Sequence, residues 1–211
     1  MIATVMNRTL RRAALALALS ATAFAAQAST LHVELDTGFL GNADGFLDLQ
    51  FGRGIDATAA TALVSALTGV SGDLPLLNGD VTAQGGGVYK FGNSQDYNDL
   101  FQSMHFGGKV SFDVSFAGDA GPSTASAMSA FSVGLYDAGG MTALGNADAG
   151  GSLLHLNWLP SANGVGSVST QVVDGAAVSS VTAVPEPSAW LMLGAGLGLL
   201  GLVRRRRLSH N

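Results

Sequence analysis

The chain has 211 residues, 29 of them glycine and none cysteine, with 15 acidic against ten basic residues. The absence of cysteine excludes a disulfide-stapled scaffold, so stability has to come from packing, bound ions or association. The acidic balance makes nucleic acid and anionic lipid poor partners and favours cations or neutral, hydroxyl-bearing polymers.

The chain opens with Arg8, Arg11 and Arg12, then an uncharged apolar run over residues 13–26, then Ala26, Gln27 and Ala28. A basic segment, an apolar segment and a small-x-small site are the three parts of a secretory signal peptide. Residues 1–28 are therefore expected to be removed during export by the general secretion machinery, with Ala26 and Ala28 marking the cleavage site. An apolar run this short does not span a bilayer comfortably as a permanent helix.

Residues 29–183 form one domain's worth of chain, long enough to bury a core. With both ends set aside, the domain keeps Arg53, Lys90 and Lys109 against 14 acids, the full 15 less Glu186, for a net charge near −11. Glycine punctuates short runs rich in Phe, Val, Leu, Thr and Ser, the texture of many short strands. Strands are expected at residues 31–36, 46–51, 81–84, 87–91, 100–106, 109–117, 130–136, 152–159, 167–173 and 176–182. Alternation is clearest where Val110, Phe112, Val114 and Phe116 share one face. Leu47, Leu49 and Phe51 repeat it, with Asp48 and Gln50 turned outward. Residues 56–68 read either as an alanine-rich helix capped by Asp56 or as a strand alternating Thr61, Leu63, Ser65 and Leu67. The expected fold class is all-β, an antiparallel two-sheet sandwich of jelly-roll type.

Candidate chemistry is sparse. His32, His105 and His155 stand singly within expected strands and His210 near the C-terminus, none with a partner histidine at i+2 or i+4, so structural or surface roles are favoured over zinc ligation. There is no Gly-x-Ser-x-Gly elbow and no cysteine nucleophile. Paired carboxylates hydrolyse glycosides, but with 14 acids in the domain no pair stands out. Calcium is the one cofactor with support: Asn42, Asp44 and Asp48 surround Gly45 in a turn-forming segment, with Asp36 just upstream, and hard cations take several oxygen ligands. Trp158 is expected in the core, while Tyr89, Tyr97 and Tyr136 are alternatives for stacking on sugar rings.

The other end reads Val184, Pro185, Glu186, Pro187 and Ser188, then a glycine-rich apolar run over residues 189–203, then Arg204, Arg205, Arg206 and Arg207. Four arginines beside an apolar helix stay cytoplasmic, which places everything before the helix outside. At about 1.5 Å per residue the run falls short of a hydrocarbon core of about 30 Å, which suits a temporary anchor in the inner membrane. Gly194 and Gly198 make a GxxxG pair that lets another helix approach closely.

The order Val-Pro-Glu-Pro, apolar helix, arginine cluster closely resembles the PEP-CTERM sorting signal of Gram-negative bacteria, over residues 184–207. The resemblance implies recognition by an exosortase, removal of the tail near Pro185, Glu186 and Pro187, and association with exopolysaccharide, biofilm and floc matrix. Resemblance to PEP-CTERM ectodomains with segments like residues 45–51, 65–69 and 106–118 also favours the strand reading of residues 56–68. The resulting expectation is a non-enzymatic surface or matrix protein that associates with exopolysaccharide or other matrix proteins. The alternative is a secreted carbohydrate-active enzyme using paired carboxylates.

Overall fold

A computed structural model describes residues 30–95, 97–162 and 166–184. Their strands are β1 (Leu31–Asp36), β2 (Asp44–Arg53), β3 (Ala60–Thr68), β4 (Leu76–Asn78), β5 (Val81–Gly85), β6 (Val88–Gly92), β7 (Asp99–His105), β8 (Lys109–Gly118), β9 (Ser129–Asp137), β10 (Leu154–Leu159), β11 (Ser167–Val172) and β12 (Val178–Ala183). They pair into two six-stranded antiparallel sheets, β12-β1-β8-β3-β6-β5 and β11-β10-β9-β2-β7-β4. Two short 3-10 turns, Gly38–Leu40 and Ala125–Ala127, interrupt the β structure. Among the described residues no helix is long and apolar enough to cross a membrane. The expected signal peptide at 1–28 and apolar helix at 189–203 lie outside the described residues.

The core forms because each sheet turns one period-two face inward. From the first sheet come Val33, Leu35, Val110, Phe112, Val114 and Phe116; from the second, Leu47, Leu49, Phe51, Phe131, Val133 and Leu156, all buried. Phe131 lies at the centre of the aromatic cluster, with ring centroids 5.6 Å from Phe91, 6.0 Å from Phe116, 6.2 Å from Phe112 and 6.5 Å from Phe51. Tilted and edge-to-face contacts at these separations add to the area they bury.

Residues 56–68 resolve as a strand from Ala60 onward, but the buried face differs from the expected alternation. Ala60, Ala62 and Val64 point inward, while Leu63 is 40% exposed. The small alanines fit because β3 is squeezed between β6 and β8, and the larger Phe116 and Phe91 lie opposite Ala62. Beyond Ser65 the register slips: Ala66 and Leu67 both fall opposite Phe112, between the pairs Ser65–Asp113 and Thr68–Ser111. This bulge places Ala66 at φ 53° and turns Leu67 toward the core. The sequence reading missed β4, a three-residue strand between Pro75 and Gly79 that reads locally as loop.

The domain's two ends meet. Leu31 pairs with Ala183, and the Val184 N–H donates to the Thr30 carbonyl at 2.8 Å. The last strand is thus complete before Pro185.

Candidate functional site

Because side chains alternate along a strand, sheet register decides which residues share the face turned away from the core. In the second sheet one cross-strand row on that face is polar at every position. It runs Gln171 on β11, His155 on β10, Ser132 on β9, Gln50 on β2, Asp99 on β7 and Asn78 on β4. Asp48 stands beside the row on the same face of β2, two residues from Gln50.

This face is covered rather than solvated. The segment from 138 to 153 turns back alongside the end of β9, bridging Tyr136 to Ala143 and bonding the Leu144 N–H to the Leu135 carbonyl, and two of its glycines lie over the face. Gly140, at φ 67°, lies over the Phe101 ring, which stacks on Phe46 at 4.5 Å and meets Tyr136 at 5.9 Å. Gly151, at φ 83°, rests against the Tyr136 hydroxyl where any side chain would collide. Asp48, expected to face water, is therefore only 3% exposed; Asp99, on β7 beyond β2, is 2% exposed.

Burial without a counter-charge shapes the electrostatics. Desolvation pushes the Asp48 carboxyl up to about 6, with the nearby Asp99 charge adding to the rise and the hydrogen bond from Gln50 opposing it. Asp99 is raised mainly by burial, against a hydrogen bond from Asn78. The Tyr97 phenol is pushed up to about 12 by burial and then by both carboxylates, and Tyr136 is raised by burial, Asp48 and Asp148. Gln50 Nε2 donates to Asp48 Oδ2 at 2.6 Å, and Asn78 Nδ2 to Asp99 Oδ2 at 3.2 Å. The other oxygen of each carboxyl, Asp48 Oδ1 and Asp99 Oδ1, is buried and accepts no hydrogen bond.

Next to this pair lies a chain that sequence reasoning did not detect. Ser132 Oγ meets His155 Nδ1 at 2.9 Å, and His155 Nε2 meets Asp148 Oδ2 at 2.7 Å. The backbone amides of Gly150 and Ser152 donate to Asp148 Oδ1. The His155 bond, followed by the Ser152 amide, holds the Asp148 carboxyl below its ordinary range. The residue types match a nucleophilic triad, but Ser132 lies mid-strand and paired on both sides, rather than on a turn whose free amides form an oxyanion hole. The pit above it, walled by Gly134, Tyr136 and Gly151, leaves no room for a water molecule. The chain's clear effect is to pin the 138–153 segment onto the sheet.

The expected calcium ligands are not brought together. Asp36 Oδ1 accepts from the Gly38 N–H at the end of β1, and Asn42 is exposed in the following loop. Asp44 is exposed and bonds His105 Nδ1 at 2.8 Å. Asp48 lies four residues further along β2, about 13 Å away at strand rise. Among the described residues no group of three or more histidine or acidic side chains is arranged to hold a metal.

All three described histidines are paired with carboxylates; besides those two, His32 Nδ1 meets Asp113 Oδ1 at 2.6 Å. Trp158 is in the core at 2% exposure, Tyr89 packs against the core and Tyr97 is 56% exposed. Val184 is within the described residues. Ala26, Ala28, Pro185, Glu186, Pro187, Arg204, Arg205, Arg206, Arg207 and His210 lie outside them.

An open groove of about 430 Å³ lies where β3, β6 and β8 meet, lined among others by Thr61, Asp80, Lys90, Asn93, Ser94 and Asp119. Asp80 Oδ2 accepts from Ser94 Oγ and lies against Gly92, where a side chain would displace it. Asn93 is fully used: its Oδ1 accepts the Ala60 N–H and its Nδ2 donates to the Thr58 carbonyl and Ser129 Oγ. Among the described residues no aromatic ring lines the groove, which presents hydrogen-bonding and charged groups.

Residues 183–207 match the family model of the PEP-CTERM protein-sorting motif. The motif implies an exported protein with a membrane-anchoring C-terminus and an exosortase as its processing partner. No curated protein and no solved structure matches the chain.

Proposed function

We propose that this chain, with its PEP-CTERM motif, is a non-enzymatic surface or matrix protein whose β-sandwich associates with exopolysaccharide after an exosortase removes the tail. The sorting motif at residues 183–207 is the observation that carries this reading. The fold is compatible with such processing: β12 ends at Ala183, so cleavage near Pro187 removes no strand. Intact-mass measurement of surface material is expected to find a chain that starts near Ser29 and lacks everything after about Pro187. Finding Arg204 to Arg207 still attached in a strain with a working exosortase would overturn the sorting reading.

A jelly-roll assignment is supported by the order β1-β8-β3-β6 in one sheet against β2-β7-β4 in the other. Folds of this kind carry lectin domains among many others, so the fold only permits the glycan reading. The open groove, with its hydroxyl, amide and charged groups, suits neutral hydroxyl-rich polymers. Against the enzymatic alternative, the one carboxylate pair with a strongly raised member, Asp48 and Asp99, is covered beyond the reach of a sugar ring. Incubation with the producing organism's own exopolysaccharide is expected to retain the protein without releasing reducing ends. Asp80→Ala is expected to weaken that retention, and release of reducing ends would favour the enzyme instead.

A further inference from the structure

We propose that Asp48 and Asp99 are the anionic ligands of a buried site for a hard divalent cation, calcium, on the covered face of the second sheet. The amide oxygens of Gln50 and Asn78 complete its donor set.

Register places the four residues together. Gln50 pairs with Asp99, Asp99 with Asn78, and Asp48 stands diagonally across from Asp99 on the same face. Diagonal neighbours lie about 7–8 Å apart, a gap that one ion held between two carboxylates spans. Two carboxylates at 3% and 2% exposure are costly unless something compensates them. Among the described residues no lysine or arginine does so. Lys109 is bonded to Glu34, Lys90 lines the groove on the other sheet, and neither carboxyl is lowered by a basic group.

The titratable groups facing the pair are Tyr97, Tyr136 on β9, His155 on β10 and Asp148 in the covering segment. Of these, His155 is already held between Ser132 and Asp148. The independent sign of a ligand is that each carboxyl keeps one buried oxygen without a partner, Asp48 Oδ1 and Asp99 Oδ1. Native structures leave few such atoms, and an ion is one of the things that satisfies them.

The donor chemistry selects the ion class. The two carboxylates offer oxygen donors alone, which suits calcium, magnesium or manganese rather than zinc or copper. Calcium accepts irregular geometry and draws its ligands to about 2.3–2.6 Å, closer than a hydrogen-bonded water, so a site too tight for water still admits it. The amides of Gln50 and Asn78 now turn their nitrogens toward the carboxylates. Rotating each terminal amide presents its oxygen to the ion, along a torsion that is soft.

The test uses the full chain in detergent micelles, stripped with chelator and titrated with terbium while Tyr97 and Tyr136 are excited as energy donors. Saturable terbium emission is expected, displaced by calcium but not by sodium at matched ionic strength. Asp99→Asn and Asp48→Asn are each expected to weaken binding by about tenfold or more, because ligand charge sets affinity. Asp44→Asn, at the exposed start of β2, is expected to leave it unchanged.

The double variant Asp48→Asn/Asp99→Asn removes both buried charges and is expected to fold, with its far-ultraviolet spectrum as the check. Emission that survives in that folded double variant would overturn the proposal. Equal displacement by sodium, or absence of saturable binding at about pH 8, would overturn it too.

Discussion

Phe131→Ala is expected to destabilise the domain by about 3–5 kcal/mol, the range for deleting a fully buried ring. Phe131 is wholly buried and contacts four other phenylalanines, two from β6 or β2 and two from β8, so its loss opens a cavity where the sheets meet. The surrounding rings are anchored to separate strands and cannot all move in to fill it. Against a total stability of about 5–15 kcal/mol, the loss is a large fraction. Urea denaturation followed by far-ultraviolet circular dichroism is expected to show a lower midpoint with an unchanged slope. Leu74→Ala, at a side chain 93% exposed, is the matched control, expected within about 0.5 kcal/mol of the parent. Equal midpoints for the two variants would show that the core is not organised around Phe131.

The second large effect is a gain in stability. Asp48 has an ordinary value of 3.8 and is raised to about 6 in the folded chain. The folded state therefore holds this proton more tightly than the unfolded state does. Above about pH 6 the carboxyl is ionised in both states, and folding bears the full cost of burying the charge. As pH falls through the folded value the cost is relieved, and below 3.8 it is gone. The difference is on the order of 3 kcal/mol at neutral pH.

In chelator, the domain is expected to become more stable as pH falls from about 7 to about 4. Asp48→Asn is expected to raise stability near pH 7 by about 2 kcal/mol and to flatten that slope, because the neutral amide keeps the shape without the charge. Asp137 and Asp148 act in the opposite sense. Asp137 is held low chiefly by the Met141 and Thr142 amides, and Asp148 chiefly by His155, so their contributions are lost below the ordinary carboxylate range. A maximum near about pH 4 should result. Thermal melts across this range check it; a melting temperature that falls steadily from pH 7 downward in the parent would show that Asp48 is not a buried acid.

Much of the architecture was legible because it is written in nearest-neighbour order. The alternation of Val110, Phe112, Val114 and Phe116 fixes one face of β8 without knowledge of its partners, and Leu47, Leu49 and Phe51 do the same for β2. Glycine-rich breaks located most strand ends to within a residue or two. Residues 60–68 were harder, since alanine suits helix and strand alike when read locally. Only the flanking strands, with Phe91 and Phe116 facing Ala62, select the narrow alternative.

The sequence by itself determined the sorting motif at residues 183–207, the β class of the domain and the inward faces of its longest strands. Those properties depend on composition and spacing within a few residues of one another. Tertiary structure alone decided that Asp48 is buried, that it lies beside Asp99, and that Ser132, His155 and Asp148 form one chain. Asp48 and Asp99 are 51 positions apart, and Ser132 and His155 are 23 apart. Only strand register brings each pair onto one face, and the 138–153 segment lies over Asp48 and Ser132 on that face. Alternation can say that a side chain points away from the core, but what lies above it depends on a part of the chain that alternation does not reach.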